Sequence, residues 1–382
     1  MKRALLFVVT LLALLAAPVA AQEASPVASP TAAAPSAVAS GLINPRGFLW
    51  TDDGTLFVAQ AGTGGTALGT PEVGPPLGPF HGGSSASIVR IADGCPVLVA
   101  ADLPSVVFTT GEVLGAEDLA VLGDQLYASV DGGGESHGNP SQPAGVYRIL
   151  ANGRTELVAD LSAWVRANPV ATLPPDHDPD AAGFSLIADP TTNAFWVDDP
   201  NSGQILNVSL DGTVTRVVDL STPHRVPTGL AVAPQGGVYV GFLTPVPYPD
   251  GASSVIHVAP DGTVTEVWSG LTAVTGVAVG PDGTLYASEL STGNLEEPPF
   301  AVAGSGRIVH QTGPNSSEAV ATGLMFPIGI DFGADGGLYV SMPAFGADNG
   351  GGTISRIDLT GSDEGTSQTM DCAPVGAATP AA

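Results

Sequence analysis

Residues 275 to 289 read Thr275-Gly-Val-Ala-Val-Gly-Pro-Asp-Gly-Thr-Leu-Tyr-Ala-Ser-Glu289. Val277 and Val279 alternate before Pro281-Asp282-Gly283, and Leu285 and Ala287 alternate after it. A period of two marks a strand. The Pro-Asp-Gly run supplies a fixed φ, a side-chain acceptor and a residue that accepts positive φ, so the stretch predicts a tight β-hairpin. The residues in between are Ala, Gly, Tyr and Ser rather than charges. Both faces of the hairpin are therefore expected to be buried, as in a sheet sandwiched between neighbours.

The unit recurs along the chain. First turns fall at Asp52-Asp-Gly54, Gly123-Asp124, Thr191-Thr-Asn193, Pro234-Gln-Gly-Gly237, Pro281-Asp-Gly283 and Asp335-Gly-Gly337. Each is followed by a second hairpin, with turns at Asp93-Gly94, Asn152-Gly153, Asp211-Gly212, Asp261-Gly262, Gly313-Pro-Asn315 and Asp358-Leu-Thr-Gly361. Six units of four antiparallel strands predict an all-β six-bladed β-propeller. A sandwich of unrelated hairpins is the competing architecture, and the regular two-turn unit argues against it.

Taken in order, the blades are expected at Gly47–Ala101, Glu117–Leu161, Phe184–Leu220, Thr228–Leu271, Thr275–Leu324 and Ile328 to about Leu359. Inserts fall at Thr63–Gly83, Asp131–Pro143, Leu243–Ala252, Ser291–Gly304 and Pro343–Gly352, and residues 162 to 182 form a long connection. Every tight turn joins first to second strand or third to fourth. Every long insert joins second to third, or one blade to the next. The long loops therefore gather at one end of the ring, where function on a rigid scaffold usually sits, and the axial funnel is expected to open among them. Val38-Ala-Ser-Gly-Leu42 resembles the outer-strand ends Val320-Ala-Thr-Gly-Leu324 and Val267-Trp-Ser-Gly-Leu271. Residues 37 to 40 are thus expected to supply the outer strand of blade 6 and close the ring, which otherwise leaves two open edges. The alternative is that Gln368 to Cys372 fills that place.

The rest of the chain bounds the setting. Residues 1–21 read as a signal peptide: Lys2-Arg3, an apolar run from Ala4 to Ala17, and the small-residue site Val19-Ala-Ala21. Residues 22–36, rich in Ala, Pro and Ser, are expected to be a disordered tether before the propeller at 37–361, with a C-terminal tail at 362–382. A secreted protein, extracellular or in the cell envelope, follows. The net charge is −26, and losing Lys2 and Arg3 with the leader makes it −28. The mature chain then has no lysine, which excludes Schiff-base chemistry, and a nucleic-acid partner would need a basic patch the chain lacks. No membrane span is expected beyond the leader, and a monomer is expected. Cys95 and Cys372 are the only cysteines. Cys95 begins the outer strand of blade 1 and Cys372 follows blade 6, and these blades are neighbours in a closed ring. In an exported protein they are expected to form a disulfide that staples it shut.

Several stretches resemble the ScyD/ScyE family of exported propellers related to NHL-type repeats. They are Gly41-Leu-Ile-Asn-Pro-Arg-Gly47, Leu56-Phe-Val-Ala-Gln-Ala-Gly-Thr-Gly-Gly65, Pro227-Thr-Gly-Leu-Ala-Val232 and Val238-Tyr-Val-Gly-Phe-Leu-Thr-Pro-Val-Pro-Tyr248. The resemblance runs in order over about residues 38 to 358. It implies the same fold and no assigned reaction. The chain departs from the family around Asp176-His-Asp-Pro-Asp180. It departs again at Val197-Asp-Asp-Pro-Asn201, where Asp198 and Asn201 match and the family's glycines do not.

Candidate chemistry lies among the acids. Asp176, Asp178 and Asp180, with His177 between, have a spacing that could hold Ca²⁺ through oxygen ligands; an exposed acidic loop is the plainer alternative. Glu117 and Asp118 enter the first strand of blade 2. Asp198, Asp199 and Asn201 end the second strand of blade 3, and Glu289 holds the matching place in blade 5. A carboxylate ring of this kind could bind a ligand, or hold Ca²⁺ or another divalent metal and activate water, as in lactonase-type propellers. Its plainer alternative is a set of turn caps and wet-channel acids. Arg46 is a candidate anion contact or the counter-ion of a funnel carboxylate. The six histidines are scattered, and no nucleophile elbow or phosphate loop is present. Three functions are compatible with this pattern. One is a propeller that binds a ligand or partner on its long-loop face without catalysis. Another is a metal-dependent hydrolase using Glu117, Asp198, Asn201 and Glu289. The third, a quinone-dependent sugar dehydrogenase, fits least because it needs cationic cofactor contacts.

Overall fold

The computed structural model describes residues 35–70, 74, 77–174, 177–359 and 370–376. The leader, nearly all of the tether and Asp176 lie outside these residues. Six antiparallel sheets follow one another around a ring, each with four principal strands, and the first strand of every sheet lies on the axis. Residues 275–289 fall in the inner hairpin of blade 5. Val274–Val279 pairs with Leu285–Glu289, with Val277 opposite Ala287 and Val279 opposite Leu285.

The alternation has a direct structural reason. Val277, Leu285 and Ala287 pack toward blade 4 against Trp268 and Leu271. Ala278 and Tyr286 pack the other way, against Ile330 and Leu338 of blade 6. Odd and even positions thus serve two different interfaces. Six hydrophobic clusters fill the six gaps between neighbouring blades, so the core is a ring of interfaces rather than a single centre.

Blade 6 takes its outer strand from the start of the propeller. Ser36–Leu42 pairs with Gly352–Ile357, and Ala39 and Leu42 are fully buried against Phe48 and Val58 of blade 1. The competing segment does something else. Met370–Gly376 lies against both blades that meet at the closure: Ser40 Oγ donates to the Met370 carbonyl at 3.0 Å, and Gln60 Nε2 donates to the Val375 carbonyl at 3.0 Å. Cys372 is disulfide-bonded to Cys95, with Cα atoms 5.4 Å apart. The ring is closed twice, by a strand and by a covalent strap.

Two elements depart from the sequence expectation. In blade 6, Gly352–Ile357 pairs outward with Ser36–Leu42 and not with a strand following Asp358, so the second hairpin expected there is replaced by the closure. The start of the connection at 162–182 is a short helix, Leu161–Ala167, whose Asp160 cap accepts from the Ala163 amide at 2.7 Å. Leu161 and Val165 anchor it in the blade 2–3 interface. Among the described residues no helix is long and apolar enough to cross a membrane.

Candidate functional site

The long-loop end of the axis is held by a buried arginine. Arg46 starts the inner strand of blade 1, and its Nε lies 2.9 Å from Glu117 Oε2 of blade 2. One terminal nitrogen donates to the Ala344 carbonyl at 2.7 Å, in the blade 6 insert, and the other to the Val113 carbonyl in the blade 1–2 link. Glu117 also accepts from the Gly115 amide at 2.7 Å. Burial raises the Glu117 carboxyl above its ordinary value, and Arg46 pulls against that rise. Nearby, Tyr248 of the blade 4 insert places its hydroxyl 3.3 Å from Glu112 of the blade 1–2 link. Tyr248 belongs to an apolar cluster with Phe300, Ile328 and Ala344, against which Phe184, Phe326 and Phe345 pack.

These loops cover the funnel instead of lining an open one. The axial channel has a volume of about 310 Å³ and is walled by all six inner strands. At its long-loop end Glu117, Ser185, Thr228, Thr275 and Ile328 are buried. At the short-turn end of the same strands Val121 and Asp331 are exposed, and Val232 is 59% exposed. The expectation of a mouth opening among the long loops is therefore corrected: the aromatic residues in those inserts bury themselves over the axis, and the channel opens toward the tight turns.

Inside the channel Asp118 accepts from the amides of Leu186 and Leu119, both at 2.8 Å. Gly47 makes room for it, since a Cβ there would stand 2.0 Å from Asp118 Oδ1. Burial, with Asp198 and Asp331 nearby, pushes the Asp118 carboxyl up to about 8 against its two amide donors. Asp331 is exposed at the channel's short-turn end yet crowded by protein atoms, and that loss of hydration takes it to about 6. Asp198 accepts from the Ser185 amide at 2.5 Å and hydroxyl at 2.9 Å, and burial raises it to about 7.

The other sequence-selected residues are spent on the scaffold. Asp199 accepts from Gln204 Nε2 at 2.7 Å. Asn201 holds the 178–180 loop through the carbonyls of Asp178 and Asp180, at 2.6 and 2.8 Å. Asp178 pairs with His137 at 2.7 Å, and Asp180 is held by Arg166 and by Ser136 Oγ at 2.7 Å. Glu289 pairs with Arg307 and accepts from the Thr272 amide at 2.8 Å. Gln60 ends the equivalent strand of blade 1 and accepts from the Ile43 amide at 2.7 Å. Each of these acceptors reaches the amide two residues before its inner strand's pairing partner, so Glu289 repeats a bracket that an uncharged residue performs elsewhere.

Sequence reasoning missed one buried group. His137 sits between Asp178 and Asp131, the latter 4.0 Å away, and its Nδ1 lies 2.8 Å from the Gly133 carbonyl. The two carboxyls push His137 up to about 9 despite its burial, and Asp178 falls below its ordinary value. Asp131 rises to about 8 through burial, and its Oδ2 has no hydrogen-bond partner. The available signal was positional: Asp131 follows the second strand of blade 2, as Asp198 and Asp199 close that of blade 3. Asp178, Asp180, Glu117 and Glu289 each already face a cationic side chain, and among the described residues no group of three His, Cys, Asp or Glu side chains is placed to hold a metal ion.

No family model matches the sequence, and no curated protein matches it. Solved structures do. A PQQ-bound aldose sugar dehydrogenase from Streptomyces coelicolor aligns at 14% identity over 86% of this chain and 99% of its own, with a TM-score of 0.53. A calcium-binding regucalcin from Agrobacterium tumefaciens aligns at 13% identity over 85% and 94%, with a TM-score of 0.52. A gluconolactonase from Xanthomonas campestris aligns at 14% identity over 84% and 88%, with a TM-score of 0.51. What is shared at this identity is the fold.

Proposed function

We propose that the chain is an exported ScyD/ScyE-like propeller that binds a ligand or partner on its long-loop face and carries out no catalysis there. The observation that supports this most is the state of its carboxylates. Those that would form a metal centre of the lactonase type are engaged by Arg46, Arg307, Ser185 and the amides beside them. A carboxylate committed to a buried arginine is a poor metal ligand, because the metal must first displace that cation. The disulfide fits an oxidising compartment, and long loops with buried aromatic anchors fit a preformed recognition surface.

Calorimetric titration of the purified protein with Ca²⁺, Mn²⁺ and Zn²⁺ tests the proposal, together with thermal melting in the presence of a chelator. No metal heat and a melting point indifferent to chelator are expected. A bound metal that Glu117→Gln or Asp198→Asn abolishes would overturn it in favour of a metal-dependent hydrolase.

A further inference from the structure

Beside blade 4 the long-loop face carries a second cavity, of about 300 Å³. Its walls come from the blade 3–4 link at 221–226, the blade 4 insert at 243–252 and the outer strand Val264–Leu271. Pro223, Phe242 and Pro245 give it an apolar side.

Three separate observations meet in it. Arg225 lies over the buried Phe242 ring, its guanidinium carbon 5.1 Å from the centroid. Stacking of this kind fixes the plane of the fork without using its N–H donors. The nearest carboxylate, Glu266, stands 3.9 Å from one terminal nitrogen, too far for a hydrogen bond, and the Arg225 side chain is one-third exposed. Arg46 and Arg307, in contrast, are spent on buried carboxylates. The Thr244 hydroxyl is buried and has no hydrogen-bond partner, a state folded proteins largely avoid. The Thr244 backbone is also held at a φ of 73°, where a β-branched residue is an outlier. Outliers of this kind concentrate at ligand clamps.

We propose that this cavity binds a small organic carboxylate, with the Arg225 fork receiving the carboxylate, Thr244 Oγ1 meeting a second polar group and the Phe242–Pro223 side packing the carbon skeleton. A planar fork matches a planar carboxylate through two parallel hydrogen bonds. A cavity of this size lies at the small end of ligand sites, which sets the scale of the ligand. The chain's net charge of −26, and Glu266 beside the fork, penalise a second negative charge, so a monoanion is favoured over phosphate. The inference rests on the long-loop-face reading for its location and adds the chemistry of the ligand.

Calorimetry on the full mature chain tests it. The probes are benzoate and glucuronate, with benzyl alcohol and glucose as their uncharged counterparts, and inorganic phosphate. At least one carboxylate is expected to bind saturably and at least tenfold more tightly than its uncharged counterpart. Arg225→Gln should weaken it tenfold or more, and Thr244→Val severalfold, at unchanged circular dichroism and melting point. If Arg225→Gln fails to fold, Arg225→Lys keeps the charge and loses the fork, and should also weaken binding. The proposal is overturned if neither carboxylate binds, if phosphate binds more tightly than both, or if the Arg225 variant binds as the parent does. Failure here with no metal heat leaves the binding role of the long-loop face standing. Metal-dependent stability overturns that role whatever the carboxylate titration shows.

Discussion

Replacing Arg46 with methionine keeps most of the side chain's bulk and removes its charge. The arginine neutralises Glu117 and serves two carbonyls, those of Ala344 and Val113. Stranding a buried carboxylate costs about 3–5 kcal/mol, and each carbonyl left without its donor adds about 1 kcal/mol. The sum is comparable to the whole stability of many domains, about 5–15 kcal/mol. Two consequences separate this account from a simple packing defect. First, the double variant R46M/E117Q removes the stranded charge, so it should recover most of the 3–5 kcal/mol. Second, the loss should depend on pH. Without Arg46 the Glu117 carboxyl rises further above its unfolded value. A raised carboxyl binds more protons folded than unfolded, so its contribution is present at low pH and lost as pH rises through the folded value. R46M should therefore lose more stability at pH 8 than at pH 5. Denaturant unfolding followed by tryptophan fluorescence, on the parent, R46M, E117Q and R46M/E117Q at both pH values, measures all of this. Equal losses in R46M and in R46M/E117Q, or a loss independent of pH, would refute the reasoning.

Reducing the Cys95–Cys372 bond opens a loop of 277 residues in sequence separation, for which chain entropy gives roughly 5 kcal/mol as an upper figure. Cys372→Ser should lower the denaturation midpoint and raise hydrogen exchange at Ser36–Leu42 before the other outer strands. Glu289→Gln should cost no more than about 1–2 kcal/mol, because Gln60 makes the same amide bracket in blade 1; a loss as large as that of Glu289→Ala, read by denaturant midpoint, would count against the equivalence. The channel acids give the whole protein a pH signature. Asp118, at about 8, and Asp198, at about 7, sit above their unfolded values, so their contribution is complete below about 4 and is lost as pH rises toward 8. The melting point should fall between pH 5 and pH 8.5, and Asp118→Asn should flatten that fall.

The ring was legible in the sequence because its determinants are local. A turn such as Pro281-Asp282-Gly283 fixes a hairpin from its own chemistry, and alternation at Val277 and Val279 follows from burial on both sides. Closure was legible because Val38–Leu42 carries the same ending as two other outer strands. The helix at Leu161–Ala167 was not, since seven residues hold too few turns to show a period. The partners of the acids were out of reach for another reason. Arg46 and Glu117 are 71 positions apart (117 − 46), and Asp178 meets a histidine that nothing in its own insert marks out. Acids at strand ends announce that a charge is present, not whether a cation has already claimed it.

The direction in which the channel opens was harder still, yet part of it was written in the inserts. Loop length says where chain accumulates, not whether it stands clear of the axis or folds over it. Loop composition bears on that question. Tyr248, Phe300 and Phe345 lie in the blade 4, 5 and 6 inserts, and large rings in a loop must find cover. The cover available at that end of a propeller is the axis itself, where the inner strands of neighbouring blades expose Phe184 and Ile328. With these rings seated there, the proposed recognition surface of the long-loop end lies outward of the funnel, in the cavity beside blade 4. That is where Arg225 keeps a guanidinium free of hydrogen bonds among the described residues, whereas Arg46 and Arg307 are committed to buried carboxylates.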